Sequence, residues 1–134
     1  MESFLHLSLP VRDLEASRTF YVDLLGCEPG CVREELGCID VWFYGLQLTL
    51  QRLPDQVLMP ELQAGRHFGV ALPPNELEAL LERLVDAPVE WVEPLSTDTT
   101  GILSGKTSAK MLDPSGNVIE FKSYAGGRAD LDAG

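Results

Sequence analysis

The chain contains two histidines, His6 and His67, and each opens a segment in which apolar and polar residues alternate, "HLSLPV" and "HFGVAL". A third segment, "LDPSGNVIEFKSY", carries Glu120 between Ile119 and Phe121. Imidazole nitrogens and a carboxylate oxygen suit Fe(II), Mn(II), Ni(II) or Zn(II). Two histidines plus one carboxylate would leave metal positions open for a small molecule. The same residue types also serve as hydrogen-bonded or solvated strand residues, so their spacing alone leaves both roles open.

These residues need strands to position them. In "FLHLSLPV", Leu5, Leu7, Leu9 and Val11 share one face, and Phe4, His6, Ser8 and Pro10 share the other. Asp13 is placed to cap a helix whose stripe of Leu14, Phe20, Tyr21, Leu24 and Leu25 ends at Gly26. From Cys31 to Gln51, "CIDVWFYG" and "LQLTLQ" read as antiparallel strands joined at Gly45. The segment "DQVLMPELQAG" has no sustained period and reads as a linker.

The same grammar then restarts. "HFGVAL" is a strand, and "PPNELEALLERLVDA" is a helix with Asn75 as N-cap and Leu77, Leu80, Leu81 and Leu84 as its stripe. "PVEWVEP", "SAKML" and "NVIEFKSY" form a second meander, with the turn "DPSGN" joining the last two. The long stretch "EPLSTDTTGILSGK" reads as a loop lying over a site. A repeat of this kind implies two similar units. The division is 1–54 as a first module, 55–65 as linker, 66–124 as a second module and 125–134 as a loose tail. The faces opposite the aliphatic ones carry His6 and Ser8; Gln47, Thr49 and Gln51; His67, Gly69 and Ala71; and Val118, Glu120 and Lys122. Two sheets placed edge to edge would form a cleft lined by these polar centres.

The formal net charge of −11 over 134 residues argues against a nucleic-acid or anionic-membrane partner and favours a small organic ligand or a metal ion. No apolar run reaches the roughly 20 residues of a membrane span, and the N-terminus lacks the pattern of a signal peptide, so the cytoplasm is the expected compartment. Cys27, Cys31 and Cys38 match neither a zinc ribbon nor a disulfide framework and read as reduced, structural thiols.

With these residues in view, "HLSLPVRDLEASRTFYVDLLGC", "HFGVALP" and "LDPSGNVIEFKSY" resemble the vicinal-oxygen-chelate superfamily of glyoxalase I, bleomycin-resistance proteins and extradiol dioxygenases. The likeness is greatest to small extradiol-type dioxygenases and runs from about Phe4 to Tyr124. It implies an α+β fold of two tandem βαβββ modules whose curved sheets surround a metal. It also implies that His6, His67 and Glu120 are the metal ligands. Glyoxalase-like members take a fourth ligand from the last strand of the first module. Here that position is Thr49, with Gln47 and Gln51 on the same face, and Thr49 is a poor ligand.

The reaction implied is therefore dioxygenase-like, on a small molecule with two neighbouring oxygens, with Fe(II) favoured and Mn, Ni, Co or Zn as alternatives. The alternatives to it are a glyoxalase- or isomerase-like lyase with a redox-inert metal and a metal-free binding protein of the bleomycin-resistance kind. Ring-cleaving relatives commonly use a further histidine as acid-base. None remains here, which leaves Tyr124, as a hydrogen-bond donor to a bound oxyanion, or Lys122. In a cleft, Lys110 or Lys122 would attract an anion. A homodimer is expected, because relatives often pair and a small chain gains core by doing so.

Overall fold

A computed structural model of the chain describes residues 1–63, 65–99 and 105–132. It divides into two compact units. The first comprises Met1–Gln63 together with Asp113–Asn117; the second comprises Ala64–Leu112 and Val118–Gly134.

The first unit begins with β1 (His6–Val11) and α1 (Leu14–Arg18), which continues as a wider π-helical segment, Thr19–Leu24. Asp13 caps α1 as its residue type predicts, its carboxylate accepting from the Ala16 amide at 2.8 Å. Three strands follow, β2 (Glu28–Arg33), β3 (Cys38–Phe43) and β4 (Leu46–Arg52), in the sheet order β1-β4-β3-β2. Val11, Phe20, Tyr21, Ile39, Val41, Leu48 and Leu50 are buried as its core. Leu5, expected on the aliphatic face of the strand, precedes β1 and is exposed. The sequence reading also missed most of β2, because Pro29, Gly30 and a register shift between Pro29 and Val32 interrupt its alternation.

After a short helix, α2 (Pro60–Gln63), the second unit repeats the pattern: β5 (His67–Ala71), α3 (Pro74–Leu84), β6 (Glu90–Thr97), β7 (Lys106–Leu112) and β8 (Val118–Tyr124). Its sheet order, β5-β8-β7-β6, is that of the first sheet, with the opening strand again parallel to the closing one. Leu77, Leu80 and Leu84 of α3 are buried, as are Ala109, Met111, Ile119 and Phe121 of the sheet. The fold is therefore α+β, with two tandem βαβββ modules.

Two expectations are corrected. The N-cap of α3 is Pro73, not Asn75, because Pro74 already has the fixed φ of a first helical residue and draws the start forward. The stretch expected as a cover loop is strand through Thr97, where the Thr97 and Thr107 hydroxyls pair at 2.9 Å; its residues 100–104 lie outside the described residues. The tail contains α4 (Arg128–Asp132), all of it exposed.

The turn "DPSGN" is anchored into the first unit. Asp113 Oδ1 accepts the amides of Ser115 and Asn117, and Oδ2 accepts the Asn117 side chain and the hydroxyl of fully buried Tyr21 at 2.8 Å. The Ser115 hydroxyl accepts the Arg12 amide, and the Asn117 side chain donates to the Pro10 carbonyl. Burial, then the neighbouring Asp113 charge, holds the Tyr21 phenol well above its ordinary value. Gly45 and Gly116, the pair matched by the repeat, have φ of +85° and +86°, a region that favours glycine.

Candidate metal and substrate site

The parallel pairing of β5 and β8 sets His67 opposite Val118, Gly69 opposite Glu120 and Ala71 opposite Lys122. Alternation then puts His67, Glu120 and Lys122 on the face away from buried Ile119 and Phe121. Gly69 permits this close pairing, since a Cβ there would run into the backbone carbonyl of Glu120. The hollow on this face, about 220 Å³, is lined by β5, Glu120 and Lys122. A larger apolar hollow in the same unit, about 680 Å³ between α3, Leu95 and Ala125, contains neither His67 nor Glu120.

Glu120 is buried, and three nitrogens surround its carboxylate: Lys122 Nζ at 3.6 Å, His67 Nε2 at 3.9 Å and Lys106 Nζ at 4.0 Å. Lys122 is held above its ordinary pKa. Burial works against its charge, but hydrogen bonding to Tyr124 and the Glu120 carboxylate more than offset that. Its Nζ also lies 5.6 Å from the Tyr124 ring centroid, within cation–π range. In the neighbouring strand, Lys106, Ser108 and Lys110 face Tyr124, Lys122 and Glu120, and Lys110 pairs with Glu93 at 3.4 Å.

On the first unit, His6 is exposed on β1 opposite Gln47, with Ser8 opposite Thr49. The registers match Thr49 to Glu120: each is the residue paired both with the opening strand's second residue past its histidine and with the preceding strand, at Asp40 and Lys110 respectively. Thr49 is committed elsewhere, its hydroxyl donating to Asp40 Oδ1 at 2.7 Å. The Gln47 amide donates to Asp40 Oδ2, and the Gln51 amide donates to the Ser8 hydroxyl.

Asp40 is the centre of a network that the sequence reading missed. Arg33 grips it with two nitrogens, at 2.7 and 2.8 Å. Burial raises the Asp40 pKa, but the hydrogen bonds from Arg33, Thr49 and Gln47 outweigh it and leave the carboxyl below its ordinary value. An acid inside the otherwise apolar "CIDVWF" was the available signal. Lys106 was missed as well, because it sits where the long stretch read as loop returns to strand. Among the cysteines, Cys27 and Cys38 are buried, and burial pushes the Cys27 thiol up to about 11; Cys31 is exposed and so has no packing role.

The structure thus brings His67 and Glu120 together within one unit, beside Lys122, which in turn meets Tyr124, and carries His6 on the other. Within neither unit, among the described residues, do three His, Cys, Asp or Glu side chains gather into a metal-binding group. The donor chemistry still fits a metal ion. An imidazole nitrogen and a carboxylate oxygen are the donor types such ions take, and the 3.9 Å between His67 Nε2 and Glu120 Oε1 would have to shorten for both to hold one ion.

The chain belongs to the Glyoxalase/Bleomycin resistance protein/Dioxygenase superfamily, whose sequence profile matches residues 3–121. Among solved structures, it is similar to a glyoxalase/bleomycin resistance protein/dioxygenase from Alicyclobacillus acidocaldarius, with 27% identity, TM-score 0.80 and 92% of each chain covered. Its fold is also similar to that of the fosfomycin resistance protein FosX from Listeria monocytogenes, with 16% identity and TM-score 0.72, covering 92% of this chain and 93% of that one. A lactoylglutathione lyase from Agrobacterium tumefaciens gives 16% identity and TM-score 0.67, covering 92% and 94%. A search of curated proteins gave no match. Superfamily members bind small molecules and typically use divalent metals. No helix among the described residues is long and apolar enough to cross a membrane.

Proposed function

We propose that the protein is a metal-dependent enzyme of the vicinal-oxygen-chelate type, with dioxygenase-like chemistry on a small molecule bearing two neighbouring oxygens. The observation that carries this reading is the convergence of His67 and the buried Glu120 on one polar face, 3.9 Å apart. His6, from this chain or from a second copy in a homodimer, would complete the ligand set. The metal, Fe(II) in preference to Mn, Ni, Co or Zn, would supply a Lewis acid and exchangeable positions for the two substrate oxygens.

The protein's own residues have separable roles in this proposal. Glu120 supplies the charged ligand and His67 a neutral one. The engagement of Thr49 with Asp40 favours three protein ligands over four. Tyr124 is the candidate donor to a developing substrate oxyanion, and Lys122, held protonated beside it, is the second candidate. A cytoplasmic location is part of the same proposal.

Anaerobic purification, reconstitution with each divalent ion and metal analysis test the reading. Wild type should bind one ion per site, and Glu120→Ala should lose most of that binding. Wild type that takes up no stoichiometric metal under any reconstitution would remove the basis for an enzyme and leave a binding protein. Turnover that proceeds equally without O₂ would favour an isomerase or lyase.

A further inference from the structure

The chain has only three lysines, Lys106, Lys110 and Lys122, and all three lie on the Glu120 face of the second sheet. None is freely solvated, their side chains being 18%, 20% and 33% exposed respectively. Every other side-chain cation, apart from histidine, is an arginine. In a chain of net charge −11, such a concentration of ammonium groups calls for a physical account.

The local charge balance provides one. Glu93 accompanies Lys110, and Glu120 is left to face both Lys122 and Lys106. Glu90, opposite Leu112, and Glu93 lie on the outer strand of this face, so among the described residues Glu120 is the carboxylate within 4.0 Å of both Lys106 and Lys122. If Glu120 is taken up as a metal ligand, its charge goes to the ion, and Lys106 and Lys122 lose their carboxylate partner. Two half-buried ammonium groups would then sit beside the chelating centre without a carboxylate, Lys122 keeping its contact with Tyr124. Such an arrangement opposes metal binding by like-charge repulsion unless a further anion accompanies the metal.

We infer that the substrate is itself a small organic anion, whose carboxylate or phosphoryl group is bound by Lys106 and Lys122 beside the pair of oxygens that chelate the metal. This inference rests on the metal reading above and narrows it, because a neutral diol would leave both ammonium groups unmatched. Lys122, 3.6 Å from Glu120 Oε1, lies nearest the ligand carboxylate, so the anionic group belongs close to the chelating oxygens on the carbon skeleton. Lys106, reaching the other carboxylate oxygen at 4.0 Å, would hold its far side.

The test uses the Mn(II)-loaded full-length protein and two probes. Pyrocatechuate carries a carboxylate beside two vicinal hydroxyls, and catechol lacks the carboxylate. Calorimetry gives the preference for the first over the second, and electron paramagnetic resonance reports bound manganese. The Lys106→Gln/Lys122→Gln variant should lose about tenfold or more of the wild-type preference, the size expected for charge-assisted contacts. It should bind manganese at least as tightly as wild type, since two like charges have gone.

Arg128→Gln, which removes one charge from a side chain 90% exposed on α4, should leave the preference unchanged. If the double variant does not fold, the two single variants decide the matter on the same readout. Manganese bound with an unaltered preference would overturn this inference alone, as would an equal loss in Arg128→Gln. Wild type that binds no manganese would overturn it together with the metal reading.

Discussion

Asp40 and Glu120 occupy corresponding sheet faces and are both buried acids, yet their surroundings differ in kind. Asp40 is closed off, its oxygens taken by Arg33, Thr49 and Gln47 at hydrogen-bond distance. Among the described residues, the neighbours of Glu120 are looser, between 3.6 and 4.0 Å away. The first acid is therefore structural, and this has a consequence in pH. The folded state holds the Asp40 proton less tightly than the unfolded chain does. Its stabilisation is complete above the unfolded value near 3.8 and is lost as pH falls through and below it. Asp40→Asn should be less stable than wild type at neutral pH, and the urea midpoints of the two proteins should converge as pH is lowered into that range. Curves that stay parallel would show that Asp40 carries no linked proton. Glu120 was legible in the sequence because strict alternation set it opposite Ile119 and Phe121. Arg33 was not, because the bulged strand that carries it has no readable period.

At the scale of elements, the turn between β7 and β8 is fastened by a carboxylate with four donors. Asp113→Ala would leave the buried Tyr21 hydroxyl and the turn amides without their acceptor, and should cost at least about 2 kcal/mol in chemical denaturation. Tyr21→Phe removes a single donor and should cost about 1 kcal/mol. Equal losses in the two variants would contradict this hierarchy. The turn itself was readable from "DPSGN", because its residue types have specific backbone preferences. Its attachment to Tyr21 and Pro10 was not readable, since those contacts join residues distant in sequence. The repeat was legible at the same scale, as strand and helix periods recur in order. The strands β6 and β7 were readable at "PVEWVEP" and "SAKML", but their extension to Thr97 and back to Lys106 was lost to a stretch rich in Ser, Thr, Asp and Gly that reads as loop.

For the molecule as a whole, the two modules share strand order and register but invert charge at their centres, with Asp40 beside Thr49 in one and Lys110 beside Glu120 in the other. The repeat thus keeps the architecture while the charged residues on the two faces differ. Sedimentation velocity at micromolar concentration should show a homodimer, and a strict monomer would reject that expectation and with it any second copy as the source of His6. The confinement of every lysine to β7 and β8 has a practical consequence as well. A lysine-directed protease has no other cleavage site in the chain, and paired strands must open before it can cut. Its rate of digestion of the native protein is thus a built-in gauge of how often this one sheet comes apart.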